Sequence, residues 1–455
     1  MIVRLLLATS AVGLVLASAA QAQIDLPPAP PTAAPPVSPT EPSQRPEDFG
    51  QLLQRGQSVT ERPRPEYDPL GLRLGSFFLY PKLEADELYN DNVFATKTNT
   101  KDDFVTVVSP TLDLRSNWGV HELDLRAGAS VGTYAKQSSE NYGDYFAAAQ
   151  GRYDVSATFA GLAGLKYEHL HEERDSPDAP GGAANPVEFD AYTGTLGLTQ
   201  HGLRIGYLAS FDFRREDYQN VAAIGGGTIN EKVRNVNVYA PSLRVSYEFA
   251  PRYEAFARVS GNIRDYDNST GGVAGVPDRN SSGYRADVGA TIDLTGITYA
   301  EVYAGYLNQD YRSSALGSIG GLDFGARIVW NVTELTSISL NGQRQVQDEN
   351  TIALNSQGLS ANSPGYLRST VALAIDHELL RNLLLHGEVD YENDDYKGID
   401  RTDDRFDVGA GLRYLFTRNF YLGGSYTYTN RSSAGTSATG QFSRDLFLLR
   451  LGAQL

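Results

Sequence analysis

The residues in this chain that could do chemistry are mainly Arg, Asp and Glu, which recur at every second position of extended segments. The 455 residues include 55 acidic and 39 basic side chains, carry a formal net charge of −16, and contain no Cys. The lack of Cys excludes disulfides, thiolate metal sites and Cys nucleophiles. The acidic balance argues against binding nucleic acid, because that affinity rests on Lys and Arg neutralising phosphates.

The six histidines do not form a metal-binding or catalytic motif. His169 and His171 share one strand face, but no third ligand follows at a zinc-site spacing. His377 and Ser369 also share a face, yet a hydrolase would need an orienting polar residue beside them. The acidic loop 392–404 lacks EF-hand spacing and is more typical of a solvated surface. The sequence therefore predicts no catalytic residue, no metal and no cofactor.

The alternation that positions the charges is clearest between residues 405 and 416. Apolar side chains occupy one set of positions, namely Phe406, Val408, Ala410 and Leu412. The positions between them carry Arg405, Asp407, Gly409, Gly411 and Arg413. A period of two residues indicates a β-strand whose faces meet different environments.

Eighteen segments with this character follow one another, and no convincing amphipathic helix lies among them. They span 77–88, 103–115, 121–136, 142–154, 157–170, 187–199, 203–216, 233–249, 252–266, 282–294, 298–311, 321–330, 335–347, 365–377, 382–394, 403–416, 419–430 and 441–455. Their connections alternate between tight turns, such as "QHG" and "TRN", and long loops, such as "RDSPDAPGGAANP". Short turns at one end and long loops at the other are typical of an outer-membrane barrel.

The sequence thus predicts an all-β fold: a transmembrane antiparallel outer-membrane β-barrel of about eighteen strands over residues 76–455. The apolar face would contact outer-membrane lipid, and the charged face would line a wet interior. Lipid does not tolerate an open sheet edge, so the sheet must close.

The first 75 residues predict a route to the bacterial outer membrane. Residues 1–22 have the features of a signal peptide: Arg4, an apolar run over 5–16, and a small-residue cleavage site ending at Ala22. That run is too short for a comfortable membrane helix. Residues 23–75 are rich in Pro, which favours a disordered periplasmic linker or arm, with partner binding as the alternative.

Fourteen charged residues are predicted to face the lumen: Lys82, Glu84, Asp86, Asp113, Arg115, Glu122, Asp124, Arg126, Arg258, Arg285, Asp287, Arg327, Asp390 and Arg413. They can form structural ion-pair ladders across neighbouring strands, or they can create a selectivity field along a pore. Both interpretations can hold for the same residues.

The segment after the first strand resembles the Putative β-barrel porin 2 family. The matching positions are Tyr89, Asp91, Asn92, Val93, Phe94, Pro110, Leu112, Trp118 and His121. The resemblance implies a large outer-membrane barrel that conducts exopolysaccharide and works with a periplasmic polysaccharide export protein. It transfers no catalytic residue. One departure is the C-terminal Leu455, where such barrels commonly end in an aromatic residue.

Three functions remain open at this point. A polysaccharide export porin would offer lumen-facing aromatic rings to sugars, with the candidates Tyr80, Tyr134, Tyr192, Tyr299 and Tyr303. A diffusion porin for small solutes would need a loop folded into the barrel, and the long candidates are 267–282 and 348–364. An outer-membrane enzyme or adhesin is the third alternative.

Overall fold

The computed structural model describes residues 56–270, 277–294, 297–348, 352–354 and 360–455. The predicted signal peptide, 1–22, and residues 23–55 of the predicted arm lie outside the described residues. Parts of the loops 267–282 and 348–364 also lie outside them.

Eighteen antiparallel strands form the wall, and each pairs with its neighbour in the sequence. Their bounds are β1 Phe77–Asn90, β2 Asp103–Ser116, β3 Glu122–Tyr134, β4 Tyr142–Asp154, β5 Phe159–His171, β6 Glu188–His201, β7 Ile205–Tyr218, β8 Val236–Ala250, β9 Tyr253–Tyr266, β10 Ser281–Leu294, β11 Thr298–Tyr311, β12 Ser318–Thr333, β13 Thr336–Asp348, β14 Gly365–Leu380, β15 Leu383–Tyr396, β16 Thr402–Leu415, β17 Phe420–Ala434 and β18 Phe442–Gln454. Strand β1 pairs with both β2 and β18, so the sheet closes into a barrel. The predicted eighteen-stranded barrel is confirmed.

The alternation of β16 separates the two faces of the wall as the sequence predicts. Phe406 and Leu412 point outward and are 43% and 42% exposed, whereas Arg413 points inward and is 1% exposed. Closure satisfies the backbone hydrogen bonds of every strand, which a wall in contact with lipid requires.

Shorter elements lie at the ends of the barrel. Leu72–Leu74 pairs with β1, Val221–Ala222 pairs with Thr228–Ile229, and Ile352–Leu354 pairs with Ser360–Asn362. Within the part of the chain that the structure describes, 3₁₀ helices span Val59–Glu61, Ser138–Glu140 and Glu231–Arg234. Among the described residues, no helix is long and apolar enough to cross a bilayer.

The two ends of the barrel differ in the length of their connections. Strands β14 and β15 are joined by a tight turn, whereas residues 172–187 join β5 to β6 and residues 219–235 join β7 to β8. The start of β1 and the end of β18 lie at the short-turn end. Short turns face the periplasm in outer-membrane barrels, so the long loops are extracellular.

The family-like motif after β1 ties the closing seam together. The Asn92 side-chain amide donates to the carbonyl of Ser443 at 2.8 Å, and the Asp91 carboxylate accepts from the backbone N–H of Asp445 at 2.7 Å. The Tyr89 ring packs against Phe104 on the neighbouring strand. These residues join the first strand to the last, which is a structural role.

Candidate functional site: the two ends of the lumen

The strand register places all fourteen charged candidates on the inward rows of the wall. They are Lys82, Glu84, Asp86, Asp113, Arg115, Glu122, Asp124, Arg126, Arg258, Arg285, Asp287, Arg327, Asp390 and Arg413. They are spread around the barrel and over its height, so they do not converge on one compact site.

Many of these charges form ion pairs between neighbouring strands. Arg258 of β9 donates to Asp287 of β10 at 2.8 Å, whereas Arg285 of β10 reaches past β11 and lies 2.6 Å from Asp323 of β12. Arg450 contacts Asp86 through two nitrogens, at 2.6 and 2.7 Å. Pairs of this kind hold both charged partners in place on the wall.

Arg413 differs from the arginines in these ion pairs. Neither of its terminal guanidinium nitrogens has a hydrogen-bond partner among the described residues, and its guanidinium carbon lies 4.9 Å from the Tyr421 ring centroid. An inward, buried cation without a paired carboxylate contributes less to the wall than the paired arginines do.

The tyrosine predictions need one correction. Tyr80, Tyr134, Tyr299 and Tyr303 lie on inward rows, but Tyr192 points outward, in the same row of β6 as Leu196 and Leu198, and is 42% exposed. Its ring lies 5.1 Å from that of Tyr167 on β5. Tyrosines belong to the lipid-facing aromatic girdle as well as to wet interiors, so the residue type alone does not decide the face.

The inward tyrosines are packed into the wall and its neighbours. Tyr134 packs against a buried apolar cluster that includes Leu88 and Val105. The Arg258 guanidinium lies over the Tyr303 ring at 4.6 Å. Gly71 has φ +70°, and a Cβ there would lie 2.6 Å from the Tyr80 ring, so only glycine allows this approach.

One extracellular loop, residues 172–187, reaches across the inside of the barrel; we call it the crossing loop. It joins β5 to β6, and the four strands β1–β4 separate β5 from β18. Its Asp175 carboxylate nevertheless accepts from Arg444 of β18 at 2.9 Å and from Arg405 of β16 at 3.2 Å. Arg431 of β17 donates to the Asp175 backbone carbonyl at 3.2 Å.

The base of the crossing loop has its own anchors. Glu172 accepts from two nitrogens of Arg234, at 2.7 and 2.9 Å, and Arg174 donates to Glu140 at 2.7 and 2.8 Å. Further along the loop, Ala183 and Val187 pack in a cluster with Phe189, Ala191, Tyr218 and Val221. The base is therefore fixed on the near side of the barrel, while Asp175 touches the far side.

The electrostatics of Asp175 favour the carboxylate form. Burial alone raises the pKa of this side chain, but the guanidiniums of Arg444, Arg405 and Arg431 outweigh burial and hold the pKa below its usual value of 3.8. Asp175 is thus an anion held among three cations at neutral pH.

The opposite, periplasmic end is lined by residues 56–75, which we call the mouth segment. Val59 is fully buried, and its backbone N–H donates to Ser337 of β13 at 2.7 Å. Arg64 donates to Glu378 of β14 at 2.9 Å, and both side chains are buried. Burial lowers the pKa of Arg64 below its usual value, although Glu378 opposes this change.

The mouth segment continues along the wall toward β1. Arg418, in the turn between β16 and β17, donates to the carbonyl of Pro65 at 2.9 Å. At the other end of the segment, Gly56 lies against Tyr299, where a Cβ would approach the ring to 3.1 Å. The rings of Tyr80 and Tyr299 therefore pack against the mouth segment, at Gly71 and Gly56.

The sequence pattern predicts neither of these two regions as part of the site. It predicts that residues 23–75 form a disordered arm, but residues 56–75 pack against β13 and β14. The predicted candidates for a loop folded into the barrel are 267–282 and 348–364, whereas the structure places residues 172–187 there. Asp175 and Arg444 are 269 positions apart, and Arg64 and Glu378 are 314 apart. The proline-rich composition of "RDSPDAP" indicates only a loop, so no local signal could have revealed these contacts.

A closed lipid-facing barrel with a charged interior is the architecture of an outer-membrane porin. A family model described as Putative beta-barrel porin 2 matches residues 64–455. The chain belongs to this family, whose members are porins of the bacterial outer membrane. The role of porins is transport.

Solved structures similar to this chain come from Pseudomonas aeruginosa. OpdO has 15% sequence identity, with 84% of this chain and 98% of that chain covered, at a TM-score of 0.42. OccK2 (OpdF) in complex with glucuronate has 12% identity, coverage of 84% and 99%, and a TM-score of 0.45. OpdK with vanillate has 10% identity, coverage of 83% and 98%, and a TM-score of 0.41. No curated protein matches the chain.

Proposed function

We propose that the protein is a diffusion porin for small solutes, selective through the charges of its lumen. The observation that carries this proposal is the crossing loop, whose Asp175 is joined to Arg405 and Arg444 on the far side of the barrel. A loop tied across the lumen divides the passage and reduces the size of solute that can enter. Charged side chains around it supply the field on which a porin's selectivity depends.

Export of exopolysaccharide, which the family resemblance implied, has less support. A polymer would have to pass the crossing loop and the mouth segment at the same time, because a chain occupies both ends of the barrel during transport. Two of the proposed sugar-stacking rings, Tyr80 and Tyr299, lie against Gly71 and Gly56 of the mouth segment. The mouth segment also occupies the periplasmic end of the barrel, which is where an export protein would have to dock.

Solute uptake by liposomes tests the porin proposal directly. Purified protein in liposomes should admit monosaccharides and small organic ions and should exclude long oligosaccharides. A variant in which residues 174–182 are replaced by a short Gly-Ser linker should admit larger oligosaccharides, because the tie to Arg444 is lost. Equal permeation of short and long saccharides through the unaltered protein would contradict the proposal.

Deletion of the gene tests the export alternative. A diffusion porin predicts normal surface polysaccharide and reduced uptake of a small nutrient. Lost surface polysaccharide with normal small-solute uptake would instead favour export.

A further inference from the structure

Three arginines form a compact cationic patch on the inner wall near the extracellular end. Arg405, Arg431 and Arg444 lie on the adjacent strands β16, β17 and β18, and Arg405 stands directly opposite Arg431 in the register. All three contact Asp175, which belongs to a loop from another part of the barrel. We call these three residues the arginine patch.

The wall strands supply fewer carboxylates to the arginine patch than the patch has guanidiniums. Arg405 pairs with Asp407 at 2.8 Å, and Arg431 pairs with Asp403, which is also held by Arg401 at 2.6 Å. The carboxylates of Glu392 and Asp394, nearby on β15, pair with Arg368. Among the described residues, Asp175 is the one carboxylate within ion-pair distance of Arg444.

The Asp175 carboxylate uses only one of its two oxygens to contact the arginine patch. Its Oδ2 accepts from both Arg405 and Arg444, but its Oδ1 is buried without a hydrogen-bond partner among the described residues. A guanidinium presents a planar fork of donors that matches both oxygens of a carboxylate. A carboxylate that could orient freely would therefore make more hydrogen bonds with these three arginines than Asp175 does.

The loop can release the arginine patch without losing its attachment to the protein. Glu172 with Arg234, and Arg174 with Glu140, hold the base of the loop through two-nitrogen contacts. These anchors do not involve the arginine patch. Withdrawal of the Asp175 side chain would leave the patch open toward the lumen while the base of the loop stays in place.

We propose that the arginine patch is a binding site for the carboxylate group of a transported solute, and that Asp175 occupies this site when no solute is present. An entering carboxylate then competes with Asp175 for Arg405, Arg431 and Arg444. Its binding frees the tip of the crossing loop. This inference rests on the proposed porin function and names the class of solute, a small organic acid.

Single-channel recording in planar bilayers tests the competition. The current carried by KCl is measured while succinate, or a neutral polyol of similar size, is titrated on the extracellular side. Asp175→Asn keeps the shape of the tip and removes its charge, so it should lower the half-blocking succinate concentration by about tenfold, the value of one charge-assisted hydrogen bond. Block by the polyol should not change.

Arg444→Met provides a second variant in case Asp175→Asn does not assemble. It should raise the half-blocking succinate concentration, because one guanidinium of the site is lost. Arg312→Met, at an exposed arginine of the extracellular loop between β11 and β12, is the matched control and should leave that concentration within about twofold, since it is outside the patch.

The outcomes separate this inference from the porin proposal. Absence of any KCl conductance in the unaltered protein overturns the porin function itself. Normal conductance with an unchanged succinate block in Asp175→Asn overturns only the carboxylate site. An equal change in the succinate and polyol blocks also overturns it, because that result reports a change in width and not in charge.

Discussion

The crossing loop and the mouth segment both lie inside the barrel, but different forces hold them there. The tip of the crossing loop depends on one carboxylate, that of Asp175, set among guanidiniums of the wall. The mouth segment depends largely on its backbone, through Val59 to Ser337 and Pro65 to Arg418, with the single buried pair Arg64–Glu378. A solute anion can replace a carboxylate, but it cannot replace a docked backbone. The extracellular contact is therefore exchangeable, whereas the periplasmic contact is structural.

The largest expected effect is loss of the buried pair in the mouth segment. Arg64→Ala should destabilise docking of residues 56–75 by up to about 3–5 kcal/mol, because the buried Glu378 then keeps only the exposed Arg381, 3.4 Å away. Hydrogen exchange at Val59 and its neighbours measures this change. Arg64→Ala combined with Glu378→Ala should recover part of the loss, whereas Arg73→Ala, at an exposed position, should have no effect. An undisturbed segment in Arg64→Ala would refute the view that this contact is structural.

Substitution of two glycines measures how much close packing stabilises the mouth segment. We expect this effect to be smaller than loss of the Arg64–Glu378 pair. Gly71 and Gly75 both have positive φ, +70° and +64°, but a Cβ at Gly75 would have open space while one at Gly71 would collide with Tyr80. Gly71→Ala should therefore cost about 1–3 kcal/mol more than Gly75→Ala. Unfolding in lipid vesicles compares the two variants. Equal losses of unfolding free energy in the two variants would mean that the Tyr80 ring moves aside at little cost.

Acidification should change the two regions in opposite senses, by smaller amounts. Burial raises the pKa of Glu61 above 4.5 and of Asp68 above 3.8. Protonation therefore favours docking, and the mouth segment should gain stability as the pH falls through these raised values. The depressed pKa of Asp175 means that its contribution persists above about pH 3.8 and is lost as the pH falls below that value.

Hydrogen exchange, corrected for the pH dependence of the intrinsic rate, checks this contrast. Between pH 7 and about pH 4, protection should rise in residues 56–68 and stay constant at the tip of the crossing loop. A loss of protection at both ends over this range would contradict the assigned directions of the pKa changes.

The smallest expected effect is at Arg413, near the periplasmic end of β16. Its terminal nitrogens have no hydrogen-bond partner among the described residues, so Arg413→Met should change the unfolding free energy by less than about 1 kcal/mol or should stabilise the barrel. Arg450→Met is the matched control. It leaves Asp86 without its two-nitrogen contact and should be clearly destabilising. Equal losses of unfolding free energy in Arg413→Met and Arg450→Met would show that the charge of an inward arginine, and not its pairing, determines how much it stabilises the barrel.

The strands were predictable because the evidence for them is local. Each strand carries its own period-two pattern, so Phe406 and Arg413 could be assigned to opposite faces from the sequence. Closure followed from the chemistry of lipid, which leaves no place for a free edge. Tyr192 was assigned to the wrong face because its strand mixes Asp190 with apolar residues on the outer row, and tyrosine is common on both faces of such barrels.

The alternation of residue types along the chain was enough to predict the barrel, its number of strands and the inward direction of its charges. The three-dimensional structure was needed to show that residues 172–187 cross the lumen, that Asp175 contacts the arginine patch, and that residues 56–75 line the periplasmic mouth. These features differ because their interactions act over different distances along the chain. Alternation along a strand repeats every two residues, whereas a loop tip or a terminal segment finds its partners only after the barrel has closed and brought distant strands together.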